Sequence, residues 1–104
     1  MWLALPLLFF LATDFTAEGM KALEERRYQE AADLFAKAVA ANPGDYAANF
    51  HLALSDSLLG KPAEAIPVYK KVLELKPGLY EAELNLGILL VGQKQNSQVQ
   101  LGFV

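Results

Sequence analysis

The sequence predicts an all-α fold in which antiparallel helix pairs repeat along the chain and stack side by side. Two observations support this prediction: the chain resembles itself at a spacing of about 34 residues, and apolar residues within each unit recur at helical intervals. The composition agrees, because 54% hydrophobic and 20% charged residues are typical of a folded domain rather than a disordered chain. A formal net charge of -3 provides no basic surface, so nucleic-acid binding is not expected.

The repeat becomes visible when the chain is shifted by one such period. Pro43-Gly44 then falls on Pro77-Gly78, and Phe35 falls on Tyr69. A column of small residues continues through all three units: Gly19, Ala53 and Gly87. Small and aromatic residues at fixed positions indicate helices that approach each other closely, so the repeated residues predict packing rather than chemistry.

The amino-terminal segment, residues 1–12, is an apolar run (WLALPLLFFLA over residues 2–12). A span of the bilayer needs about 20 apolar residues, whereas a run of about 7 to 15 is typical of an export-signal core. No Lys or Arg precedes the run, and bulky Phe10 or Phe15 precedes each candidate cleavage site. Three interpretations therefore stay open: a signal, a membrane anchor, or a helix that caps the fold. The protein is exported or membrane-anchored under the first two, and otherwise cytoplasmic.

Repeat 1 covers residues 13–45, and repeat 2 covers residues 46–79. In repeat 2 the turn between the two helices is Gly60-Lys61-Pro62, and Lys76-Pro77-Gly78 ends the second helix. The first helix of a third repeat is predicted over residues 80–93, and residues 94–104 form a tail that departs from the repeat pattern.

These residues resemble the tetratricopeptide repeat (TPR) family, with about two and a half repeats and the closest match over residues 46–79. The resemblance implies an α-solenoid in which the helix pairs stack into a right-handed superhelix. It also implies a protein-protein interaction module or scaffold, because the first helices of the family line a concave surface that grips a partner.

A partner-binding groove is accordingly expected on the first helices, for a protein or peptide with spaced aliphatic side chains. Helical spacing from unit to unit selects its residues: Met20, Leu23, Phe50, His51, Leu54, Ser57, Leu58, Leu84, Ile88 and Val91. The alternative is that these residues are covered within the chain, for example by residues 2–12.

The helix predicted over residues 80–93 is apolar on several sides, which is unusual for a solvated end helix. Something is therefore expected to cover it: the tail Val99 to Val104, repeats of a longer array from which this chain is a fragment, or a second copy that binds through residues 84–91. A self-assembling scaffold is for this reason the alternative function. A membrane contact is expected only through residues 2–12.

Catalysis is not expected, because the one suggestive cluster has the wrong geometry. His51 and Ser55 lie one helical turn apart, but Asp56 projects about 100° away from Ser55. The chain has no cysteine and one histidine, so neither a thiolate zinc site nor a cysteine nucleophile is available. The sequence therefore predicts no enzyme, no catalytic residue, no metal and no cofactor.

Overall fold

The computed structural model describes residues 14–100, with side chains described for residues 14–97. This part is helical, without a strand, and its helices are α1 (Phe15–Glu24), α2 (Tyr28–Ala41), α3 (Tyr46–Leu58), α4 (Pro62–Leu75) and α5 (Tyr80–Gln100). The predicted all-α fold of helix-turn-helix repeats is confirmed. The apolar residues 1–12 lie outside the described part. Within it, none of the helices combines the length and apolar character needed to cross a membrane.

Polar caps begin the first helix of each of the first two repeats. Asp14 Oδ1 accepts a hydrogen bond from the Ala17 N–H at 3.1 Å, and Asp45 Oδ1 accepts from Ala47 and Ala48 at 3.0 and 3.2 Å. Such a cap typically stabilises a helix by about 1 kcal/mol, because it satisfies backbone donors without an intrahelical partner. The caps fix where α1 and α3 start.

The turns inside the two repeats have the same backbone geometry. Arg26 lies in the loop between α1 and α2 with a φ of 61°, and Gly60, at the equivalent position of the next repeat, has a φ of 74°. Glycine adopts this left-handed conformation freely, whereas a side chain at the same position is strained. The period of the repeat therefore holds for the backbone as well as for residue types.

Each helix packs chiefly against its neighbours in sequence. One buried cluster contains Ala22, Ala31 and Phe35, and a second contains Ala53, Ala65, Tyr69, Val72 and Ala82. Phe35 and Tyr69 are fully buried, as their shared position predicts. At Gly19 an added Cβ would lie only 2.8 Å from Phe35 Cζ, so glycine is required for α1 and α2 to approach this closely.

Asn49 fixes the junction between the repeats. Its side chain is 4% exposed, and Nδ2 donates to the carbonyl oxygens of Asp45 at 2.8 Å and Pro43 at 3.1 Å. One amide thus joins α3 to the turn before it, which sets the direction in which α3 leaves the first repeat.

The last helix is longer than the sequence pattern predicts. α5 continues past Gln93 to Gln100, whereas the pattern ended it near Gln93. The reason is the absence of a stop signal: Lys94 stands at the position of Gly60 in the previous repeat, and Asn96 stands at the position of Pro62. Without glycine or proline at these positions, the helix has no local reason to turn. Part of the predicted tail is therefore a continuation of the helix.

Candidate functional site

A concave channel runs between α3 and α5, the first helices of the second and third repeats. At its amino-terminal end Tyr46, Phe50, His51 and Glu81 line a concavity of about 280 Å³, together with Ala47 and Leu79. One to two helical turns further along, a second concavity of about 110 Å³ is lined by these residues: Leu54, Ser57, Tyr69, Asn85, Ile88 and Leu89. We call this channel the α3–α5 groove.

The groove has an aromatic floor that connects the two buried clusters. The His51 ring stacks on Phe35 with centroids 5.2 Å apart, and Phe50 meets His51 edge-on at 5.6 Å. Phe50 in turn meets Tyr69 edge-on at 5.8 Å. Because Phe35 and Tyr69 are fully buried, the floor is held by both cores and provides a preformed surface.

Polar atoms are placed sparsely along this surface. Asn85 Nδ2 donates to Tyr69 Oη at 3.2 Å, which joins α5 to α4. His51 Nδ1 and Ser57 Oγ are both buried and have no hydrogen-bond partner among the described residues. A buried polar atom without a partner is costly, and because neither atom is accessible from the groove, the cost falls on the fold itself.

The charges around the groove are few. The Glu81 carboxylate lines the first concavity, and Lys76 Nζ lies 5.6 Å from the centre of the Tyr46 ring at the same end. Neither concavity is lined by a Lys or Arg among the described side chains. The one charged side chain that lines either concavity, among those described, is therefore the Glu81 carboxylate.

The structure distributes the predicted groove residues over four places. Phe50, His51, Leu54, Ser57 and Ile88 line the α3–α5 groove, and Phe50 also packs against the second buried cluster. The other members of the predicted set lie elsewhere: Met20 and Leu23 pack against the first buried cluster, Leu58 is about half exposed, and Leu84 and Val91 lie with Ile88 on the outer face of α5.

Seven residues of the groove were not among those predicted to bind: Tyr46, Ala47, Tyr69, Leu79, Glu81, Asn85 and Leu89. A signal for the first was present, since Tyr46 recurs as Tyr80 at the start of the next repeat. Leu79 lies in the loop before α5, where helical spacing makes no prediction. Glu81 and Asn85 line the groove because α5 lies beside α3. Helical spacing within one helix does not predict this tertiary contact.

The sequence profile of the tetratricopeptide repeat family matches residues 16–80, which is more than half of the chain. The chain belongs to the tetratricopeptide repeat family. The matched region contains α1 to α4, with both buried aromatic residues and both inner turns. A comparison with curated protein sequences finds no significant match.

Tetratricopeptide repeats generally serve as protein-interaction or scaffold modules, and this general role applies to the chain. The repeated small and aromatic residues belong to the framework that stacks the helices. Specificity in such a framework comes from the residues between these columns.

Within residues 14–97, one face of α5 is not covered by another helix. Leu84, Ile88 and Val91 are 47%, 61% and 57% exposed. The residues at the equivalent positions of α3, which are Phe50, Leu54 and Ser57, are all half-buried. We call this face of α5 the outer stripe, and its members recur at helical spacing: Tyr80, Leu84, Gly87, Ile88, Val91 and Gln95.

The residues that superficially offered a nucleophile are engaged in the fold. Ser55 is fully buried, and its Oγ donates to the backbone carbonyl of His51 at 2.8 Å, as a serine inside a helix commonly does. Within the described residues, no cluster of three metal-ligating side chains occurs.

Proposed function

We propose that the chain is a protein-interaction module that holds a segment of a partner protein in the α3–α5 groove. The observation behind this proposal is the aromatic floor of Phe50 and His51, which continues into the concavity beside Leu54 and Ile88. Each concavity is small, at about 280 and 110 Å³, and the two follow one another along the helices. Side chains of a polypeptide suit the groove better than a compact metabolite.

The spacing of the two concavities supports a polypeptide ligand. Their α3 residues, Phe50–His51 and Leu54–Ser57, are separated by about 5 to 10 Å along the helix axis, at about 1.5 Å per residue. Side chains at alternate positions of an extended segment are about 7 Å apart, and those one turn apart on a helix are about 5.4 Å apart. Either form places two aliphatic side chains in the groove.

A basic side chain next to the aliphatic ones is expected to improve binding. Glu81 lines the first concavity, and no described Lys or Arg side chain lines it. A Lys or Arg of the bound segment would therefore meet a carboxylate, whereas an acidic residue would be repelled. The ligand class is an aliphatic segment with one basic residue near its deepest side chain.

Selection from a displayed peptide library tests the proposal. We expect the enriched peptides to share two aliphatic residues and a neighbouring Lys or Arg. Leu54→Asp should lower the affinity for these peptides by about tenfold or more, because it places a charge in the groove. Fluorescence anisotropy measures this affinity. The matched control Leu90→Asp, on a different face of α5, should leave affinity within about twofold.

The exposed residue Glu81 provides a variant that does not disturb a core. Glu81→Lys should reverse the charge preference, so that peptides with Lys lose affinity and those with Glu gain it. Unchanged affinity for both Leu54→Asp and Glu81→Lys, with unchanged circular dichroism, would place binding on another surface. If Leu54→Asp unfolds the chain, the Glu81 variant alone decides.

A further inference from the structure

We infer that the outer stripe of α5 binds the same stripe of a second copy of this chain, with the two α5 helices antiparallel. The stripe is diametrically opposite the face that α5 packs against α4, where Ala82 is fully buried. On α3 the corresponding column is covered, since Ala53 is fully buried in the second cluster. The repeat geometry therefore marks the outer stripe as a packing face.

The stripe has the dimensions of a helix-pair interface. From Tyr80 to Gln95 it extends about 22 Å at about 1.5 Å per residue, with aliphatic side chains in its middle. At Gly87 an added Cβ would have no atom within 4 Å. A small residue in the centre of the stripe lets a second helix approach to about 8 Å between axes, the close end of the usual range.

Charge complementarity sets the antiparallel direction. Glu83 and Lys94 are separated by about three helical turns, so both lie on the same edge of the stripe. A two-fold parallel pair would place the edges that carry Glu83 and Lys94 on opposite sides of the interface, so that these side chains of the two copies would not meet. An antiparallel pair with its two-fold axis beside Gly87 and Ile88 places Glu83 within reach of Lys94 of the second copy, twice.

The same axis also matches the apolar residues. It brings Leu84 level with Val91 of the second copy, and it places Gly87 and Ile88 at the centre. Isologous pairing of this kind needs no additional partner, because one face complements itself.

The helical continuation of α5 favours a second copy over the chain's own tail. Phe103 stands at the repeat position of Tyr69, so the tail would have to turn back near Lys94 to bring it over Gly87. The structure instead continues α5 through Lys94 to Gln100, and no side chain described for residues 14–97 covers the stripe.

Sedimentation equilibrium of the full chain tests the association. Between about 1 μM and about 500 μM the mass should rise from 11.4 kDa toward twice that value. Val91→Asp should raise the dissociation constant by about tenfold or more, and Phe103→Asp should leave it within about twofold. A wild-type chain that stays monomeric throughout overturns the inference, as does a dimer that Phe103→Asp weakens as much as Val91→Asp.

A charge exchange tests the register. Glu83→Lys and Lys94→Glu should each weaken the dimer, and the double variant should restore it, since the two side chains are too far apart on one helix to meet. Glu24→Lys on α1 is the charge-matched control and should have no effect. Equal weakening by the control, or no recovery in the double variant, would contradict the antiparallel register.

The absence of cysteine from the chain permits unambiguous cross-linking. Ile88→Cys lies beside the proposed axis and should form a disulfide-linked dimer on mild oxidation. Gln95→Cys should not, because two copies of residue 95 would be about 22 Å apart along the axis. Efficient cross-linking of Gln95→Cys would indicate a parallel pair and overturn the proposal.

Discussion

At the residue scale, Gly19 and Gly87 occupy the same position of the repeat but differ in the space around their Cα atoms. An added Cβ at Gly19 would lie 2.8 to 3.0 Å from three atoms of the buried Phe35 ring, whereas at Gly87 it would have no atom within 4 Å. The same substitution should therefore have opposite signs at the two sites.

Gly19→Ala should lower the free energy of unfolding by about 1–3 kcal/mol, because Phe35 cannot move without disturbing its cluster. Gly87→Ala should raise it by up to about 1 kcal/mol through helix propensity. Urea denaturation at a concentration at which the chain is monomeric measures both. Equal effects at the two glycines would contradict the packing described for α1 and α2.

The backbone of Arg26 is strained, because it adopts a positive φ that its equivalent in the next repeat adopts as a glycine. Arg26 has a φ of 61° where Gly60 has 74°. Arg26→Gly should stabilise the chain by about 0.5–1 kcal/mol, and Gly60→Arg should destabilise it by about 1 kcal/mol. Arg26→Ala is the control, because it removes the charge but keeps the side chain at positive φ. Thermal unfolding should show no gain in stability for Arg26→Ala. If Arg26→Ala stabilised the chain as much as Arg26→Gly, strain at positive φ would be refuted.

The ionisation of Asp56 should oppose folding. Burial raises the pKa of Asp56 above its usual value; Lys61 lowers this pKa, and Glu64 and Asp33 raise it. The folded chain therefore holds this proton more tightly than the unfolded chain, and the associated stability is lost as pH rises above about 3.9 through the folded pKa.

Asp56→Asn should consequently stabilise the chain at pH 7, with the difference from wild type disappearing near pH 3. Melting temperatures at both pH values measure the effect, and Asp33→Asn serves as the comparison on α2. A variant that gained as much at pH 3 as at pH 7 would show that the gain is unrelated to ionisation.

At the scale of elements, the period that relates Phe35 to Tyr69 was sufficient to predict the helix pairs, their turns and their buried aromatic residues. It succeeded because these two rings and the small residues opposite them are local consequences of close helix packing. It failed at the end of α5, where Lys94 and Asn96 replace the glycine and proline that stop the helix in the previous unit.

The residues of the candidate site could be predicted less completely from the repeat period and helical spacing. Spacing selected Phe50, His51 and Leu54, which line the groove in the structure, and it grouped Ile88 with Leu84 and Val91, which lie on the outer face of α5. That these residues bind a partner stays a prediction. Asn49 carried no sequence signal for its role, because its two carbonyl partners are set by the turn before α3. Which face of α5 meets α3 is decided by packing between repeats.

At the scale of the molecule, the groove and the outer stripe lie on adjoining faces of α5 and share Ile88. Substitutions of Ile88 would affect both surfaces, so Leu54 and Val91 are the residues that separate them. If the chain pairs through α5, each dimer presents two grooves. A partner with two binding segments would then be held more tightly than either segment alone, provided that its linker spans the two sites.

Contact between sequence neighbours, described above for every helix, also determines how the molecule comes apart. Removing α5 costs the described part chiefly its junction with α4, whereas α3 cannot open without breaking large junctions on both sides. Unfolding therefore starts at a terminal helix and proceeds inward one helix at a time, rather than occurring in all helices at once. The central helices remain ordered the longest, and they include the one that supplies the aromatic floor.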